Sequence, residues 1–178
     1  MMKKLAIIAA ALLTATNANA LFDIKAKTIK DDFDGSTSVH IAETSLYCGM
    51  SFECPLVGFS WGNNTQQYLG VHIQFIDMFS KNFYNINRLS INIDGNIENF
   101  DAIKTTSHQT DSTSYQSLQT FLVPADYIEK LNNGKDIKIR VSTNKGNYDG
   151  VFKGGKKPSK AEKFYPSFYT EVKKHANQ

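Results

Sequence analysis

Only two of the 178 residues are cysteine and four are histidine. That count excludes a disulfide-dense framework, and no nearby histidine joins the two cysteines in a structural metal site. Charge is scarce as well. Charged residues make up 21% of the chain, with Lys+Arg at 20 and Asp+Glu at 17, so no overall positive field draws it to nucleic acid. After residue 20 no apolar run approaches the roughly 20 residues that cross a bilayer as a helix. Internal repeats are missing. So is a coherent set of catalytic residues, and no cofactor is expected.

What is present begins with a leader. Lys3 and Lys4 precede an apolar run over residues 5–13, and Ala18-Asn19-Ala20 fits the small-x-small cleavage rule. The run is too short to anchor the chain across a membrane. Residues 1–20 are therefore expected to be a secretory signal peptide, and the short Lys-Lys start resembles bacterial leaders. No cysteine follows the cleavage site, which argues against a lipoprotein. Removing 20 of 178 residues leaves 158, with 18 basic against 17 acidic side chains. That length suits one β-rich domain over residues 21–178, periplasmic or secreted.

Periodicity two dominates the mature chain. Val39 and Ile41, then Val57, Phe59 and Trp61, then Leu69, Val71, Ile73 and Phe75, then Leu89, Ile91 and Ile93 each alternate with smaller or polar residues. Residues 121–152 are the best specified. Ile137, Ile139 and Val141 alternate with Lys138, Arg140 and Ser142, and the 144–147 turn has Gly146 available for a positive φ. Asp94-Gly95 is a second hairpin signal. A short helix is expected at about 124–133, with Pro124 opening it, Tyr127, Ile128 and Leu131 on one face, and Gly134 as a left-handed stop. Ser159-Lys160-Ala161-Glu162 matches a capping box for a C-terminal helical segment, which Pro166 should break or kink. The fold class is mainly β: a single antiparallel sandwich or curled sheet with these two helical pieces.

Several constellations suggest chemistry. Cys48 and Cys54 are expected to form one disulfide in an oxidising compartment, closing a small ring worth roughly 2 kcal/mol. Their spacing does not fit a C-x-x-C redox pair. Gly58-Phe59-Ser60-Trp61-Gly62 matches G-x-S-x-G, but turn residues and another strand follow it, where a nucleophile elbow needs a helix. Asp31-Asp32-Phe33-Asp34-Gly35 resembles half a calcium loop. In that register Lys30 and Ile41 take the first and last ligand positions, so an acidic turn is expected instead. His40 and His72 lie on the polar phases of two strands. They would meet only if those strands were neighbours, and otherwise are surface residues. Adjacent Ser107 and His108 diverge on an extended backbone, so their nearness to Asp111 makes no triad.

Function is therefore sought on the surface. The basic segment 153–178 carries seven lysines against two acids between Lys153 and Lys174. A candidate interaction surface comprises Lys153, Lys156, Lys157, Lys160 and Lys163, with His108 and Tyr115 from the polar 104–117 stretch. The aromatic run with Phe83 and Tyr84 is a second candidate, for a glycan. The expectation is an exported, non-catalytic binding protein: an inhibitor, immunity-type or accessory factor. Its partner would be another protein or an anionic envelope component, with no nucleic acid. A small envelope serine hydrolase using Ser60 is the alternative, and a glycan-binding module another.

Overall fold

The computed structural model describes residues 24–51, 53–110 and 114–176. The expected signal peptide and Asp111 lie outside them. Ten strands and two helices follow in order: β1 (Lys27–Lys30), β2 (Thr37–Ser45), β3 (Leu56–Gly62), β4 (Tyr68–Asp77), β5 (Ile86–Ile93), β6 (Asn96–Asp101), β7 (Ser107–Thr110), β8 (Tyr115–Pro124), α1 (Tyr127–Asn133), β9 (Ile137–Thr143), β10 (Gly146–Lys153) and α2 (Lys160–Ala176). A short 3-10 turn at Asn63–Thr65 joins β3 to β4.

The strands form two antiparallel sheets in a curled sandwich. One has the order β1-β2-β3-β4-β8-β7, the other β10-β9-β5-β6. The chain crosses between them after β4, after β6 and again through α1. The six-stranded sheet is wider than its partner, and α2 covers the surplus by packing on β2 and β3. Phe59 shows how: its ring meets Phe152 of β10 at 5.9 Å, and Tyr165 and Phe168 of α2 at 5.0 and 5.8 Å. The alternating residues named above, from Val39 to Val141, make one continuous core with Ala161, Tyr165, Phe168 and Val172 of α2. Burying each large side chain is worth about 1.5–3 kcal/mol. None of the described helices is long and apolar enough to cross a membrane.

Local signals were met in part. Asp94 (φ 52°) and Gly95 (φ 95°) form the β5–β6 turn, and Gly146 (φ 128°) sits in the β9–β10 turn. Ser159 Oγ accepts the Glu162 N–H at 2.9 Å, capping α2. Three expectations need correction. Pro124 ends β8, paired with Tyr68, and α1 starts three residues later; a strand end tolerates a missing donor as readily as a helix start does. Gly134 is extended (φ −58°, ψ 148°), not left-handed. It is needed for space, since a Cβ there would lie 2.8 Å from Ile93 Cγ2. Finally, α2 runs on through Pro166. The proline faces solvent, while Tyr165, Phe168 and Val172 hold the helix from the other side. Their burial outweighs the roughly 3 kcal/mol that an interior proline costs.

Candidate functional site

Ser60 does not stand on an elbow. It lies inside β3, 3% exposed, on the face of the six-stranded sheet that points away from the sandwich core. His72 was expected at the surface on β4, but it is 4% exposed. Its strand partners are Gly58 and Thr120. Gly70, with no side chain, leaves the room beside the imidazole, whose Nε2 would lie 3.7 Å from a Cβ there. Nε2 shares a hydrogen bond with Ser60 Oγ at 2.8 Å and Nδ1 one with Thr120 Oγ1 at 2.9 Å. A Cβ at Gly70 would collide with Ser60 Oγ. Burial, helped by the nearby His40, pushes the His72 pKa down to about 4.

The three residues form a hydrogen-bonded chain across β3, β4 and β8. As a catalytic set it is incomplete. Threonine, not a carboxylate, stands behind the ring, so nothing would stabilise an imidazolium formed by taking the serine proton. Ser60 Oγ is also enclosed. His40 is separated from His72 by β3 and pairs instead with Ser38 Oγ at 2.9 Å.

A larger feature lies on the outer face of the four-stranded sheet. There an open groove of about 500 Å³ is lined by Ser90 and Asn92 of β5, Ile97 and Asn99 of β6, Lys138 and Arg140 of β9, and Asp149 and Val151 of β10. The strand registers place Ile97, Asn92, Lys138 and Val151 in one row, and Asn99, Ser90, Arg140 and Asp149 in the next. Tyr47 extends the first row. Its backbone exchanges two hydrogen bonds with Val151, both 2.9 Å, covering part of the β10 edge. The Cys48–Cys54 disulfide closes the loop that follows. Cys48 lies over Gly150, where a Cβ would come within 3.1 Å of its sulfur. The disulfide thus helps hold Tyr47 as a wall of the groove.

The groove mixes apolar and polar contacts in a fixed arrangement. Arg140 grips Asp149 through two hydrogen bonds of 2.7 Å, and Ser90 donates to Asn99 at 2.6 Å. The Arg140 guanidinium holds the Asp149 carboxyl below its ordinary pKa, against a smaller opposing effect of burial. Tyr47, Ile97 and Val151 supply the apolar part. None of these groove residues was singled out from the sequence. The available signal was an apolar side chain on the wet phase of an otherwise polar strand, as at Ile97 and Val151.

The sequence-derived surface falls into two places. Lys156, Lys157, Lys160 and Lys163 stand exposed on the approach to α2 and its first turns. Lys153 is drawn inward, where its Nζ donates to the Asn132 carbonyl at the end of α1 at 2.8 Å. His108 and Tyr115 lie instead on β7 and β8, where both rings pack on Phe83, at 4.6 and 5.0 Å. Tyr84 is not displayed. It is 3% exposed and stacks on Phe75 at 4.6 Å. The acidic 31–35 stretch forms the β1–β2 turn, with Asp31 Oδ1 accepting the Phe33 N–H at 2.7 Å and Gly35 at φ 70°. No family model, curated protein or solved structure matches the chain.

Proposed function

We propose that this chain is an exported, non-catalytic binding protein that holds a macromolecular partner in the groove on the outer face of its four-stranded sheet. The observation that carries the reading is the groove itself: about 500 Å³, with two ordered rows of side chains and a wall braced by a disulfide. Apolar side chains there contribute burial, and the fixed Asn92, Asn99, Arg140 and Asp149 contribute orientation. A braced disulfide suits the periplasm or extracellular space, in keeping with the leader.

A photo-crosslinking residue at Asn99 tests this. Incubated with envelope extract, it should give one saturable, stoichiometric adduct, and Ile97→Arg should abolish that adduct. An adduct pattern that never saturates, or that ignores Ile97→Arg, would sink the proposal.

One observation favours a second reading, the small serine hydrolase: the 2.8 Å Ser60–His72 hydrogen bond. Labelling with a fluorophosphonate probe separates the two. Burial of Ser60 and the lack of a carboxylate behind His72 lead to an unlabelled protein. Stoichiometric labelling that is lost in Ser60→Ala would establish the hydrolase instead.

A further inference from the structure

The groove runs out to a free sheet edge. Of the strands behind it, β10 is outermost on one side and β6 on the other. The β10 edge is taken: Tyr47 bridges to Val151, and Leu46 and Cys48 lie against Gly150. Nothing comparable among the described residues lies along β6, which is exposed throughout except at the half-buried Phe100.

The phase of the β5–β6 ladder decides which backbone groups are unpaired. The Ala102 N–H donates to the Asn87 carbonyl at 2.8 Å, one step beyond the Arg88–Asp101 pair. Hydrogen-bonded and non-hydrogen-bonded pairs alternate in an antiparallel ladder. Phe100, Glu98 and Asn96 therefore bond to Leu89, Ile91 and Ile93, their register partners. The N–H and C=O groups of Ile97, Asn99 and Asp101 point away from the sheet, and no group among the described residues bonds to them. Ile97 and Asn99 are also the β6 residues whose side chains line the groove. Free backbone groups and groove side chains thus come from the same residues.

That combination selects the occupant. Outward N–H and C=O groups on every second residue of a strand are matched in spacing and direction by another extended polypeptide. The two acids of β6, which would ordinarily deter a new strand, are turned back onto the protein: Asp101 to Arg88 at 2.6 Å and Glu98 to Lys130 at 3.2 Å. The edges of the six-stranded sheet are poorer templates. Strands β1 and β7 have four residues each, and β1 carries Lys27 and Lys30. A second copy of β6 is a poor match as well. Its fullest antiparallel overlap centres on Asn99 and sets Ile97 against Asp101 and Glu98 against Phe100, an acid facing an apolar side chain each time.

We propose that the partner is a polypeptide that adds an extended segment to β6. Its backbone bonds to Ile97, Asn99 and Asp101, and its alternate side chains continue the rows of the groove, apolar opposite Ile97 and polar opposite Asn99 and Asp101. The inference rests on the groove reading and names the class of partner.

Short random peptides displayed on phage, selected on the parent chain and counter-selected on Ile97→Arg, supply the probe. One synthetic peptide from that selection is then N-methylated at each position in turn. Methylation should lower affinity about tenfold or more at every second nitrogen and little in between, because only alternate N–H groups face β6. This readout leaves the protein unaltered. On the protein side, amide exchange at Ile97, Asn99 and Asp101 should slow on binding. Asn99→Pro removes an outward N–H but no ladder bond, and should weaken the peptide about tenfold more than Asn99→Ala does. Binding without the alternation, or with the three amides unprotected, would overturn strand addition and leave the groove reading in place. Failure to select any peptide that depends on Ile97 would overturn the polypeptide partner, while the Asn99 adduct from envelope extract still decides the groove reading by itself. Concentration-dependent dimers with the three amides protected would make a second copy the occupant and overturn the proposal as well.

Discussion

His72 shows how one buried side chain couples this fold to pH. The neutral ring bridges Ser60 and Thr120, and burial lowers its pKa from 6.5 to about 4. The unfolded chain therefore binds a proton in a range where the native chain does not. Stability from this residue is complete above pH 6.5 and is lost as pH falls toward 4, by about 3 kcal/mol in all. His40, whose pKa burial also lowers, acts in the same direction. Urea midpoints for the parent chain and His72→Gln should show it: the parent should lose stability more steeply between pH 7 and pH 4.5, and parallel curves would refute the assignment. Gln119 makes a second claim at this scale. It is 3% exposed on β8, and its Oε1 has no hydrogen-bond partner among the described residues. Gln119→Met should leave stability unchanged or raise it by about 1 kcal/mol. A loss of about 2 kcal/mol or more would mean that the amide oxygen is engaged after all. Gly70→Ala should do the opposite and destabilise by about 1–3 kcal/mol, because the new methyl meets Ser60 Oγ.

Helix α2 and the disulfide loop do comparable jobs as elements: each covers sheet surface that the opposing sheet leaves open. Helix α2 is tied to α1 by the Tyr165 hydroxyl, which donates to the Ile128 carbonyl at 3.0 Å, and by Lys173, 3.0 Å from Glu129. With its inner face so well fixed, Pro166→Ala should raise stability by about 1–3 kcal/mol, read as a higher denaturant midpoint with unchanged slope. A fall would show that the ring itself contributes packing. For the loop, replacing Cys48 and Cys54 together by serine should cost about 2 kcal/mol and speed amide exchange at Tyr47 and Val151; protection unchanged at both would separate the groove wall from the disulfide. Elements of this kind were legible wherever a single period governs burial. The β4 and β9 alternation, the Asp94-Gly95 turn and the α2 capping serine all follow from side-chain chemistry within a few residues. Pro124 and Gly134 misled because their local preferences fit two structures. Tyr68 across the sheet and Ile93 beneath the helix decided between them.

The groove belongs to the whole molecule, and this is why the sequence concealed it. Its residues come from the disulfide loop and from β5, β6, β9 and β10, neighbours in one sheet although the chain visits the other sheet between β6 and β9. Periodicity tells that Asn92 and Arg140 lie on wet faces, but not that they lie on the same one. The Ser60–His72 pair was hidden for a similar reason: its partners are set by the β3–β4 register and by the space left at Gly70. The basic approach to α2, by contrast, was visible as composition, and its exposed lysines are present as a local run. The central claim is that the protein binds through the groove, while Ser60 is part of the scaffold. The most direct measurement is the yield of the Asn99 crosslinked adduct from envelope extract, compared among the parent chain, Ile97→Arg and Ser60→Ala. The account expects Ile97→Arg to lose the adduct and Ser60→Ala to keep it. Loss in Ser60→Ala with retention in Ile97→Arg would contradict it.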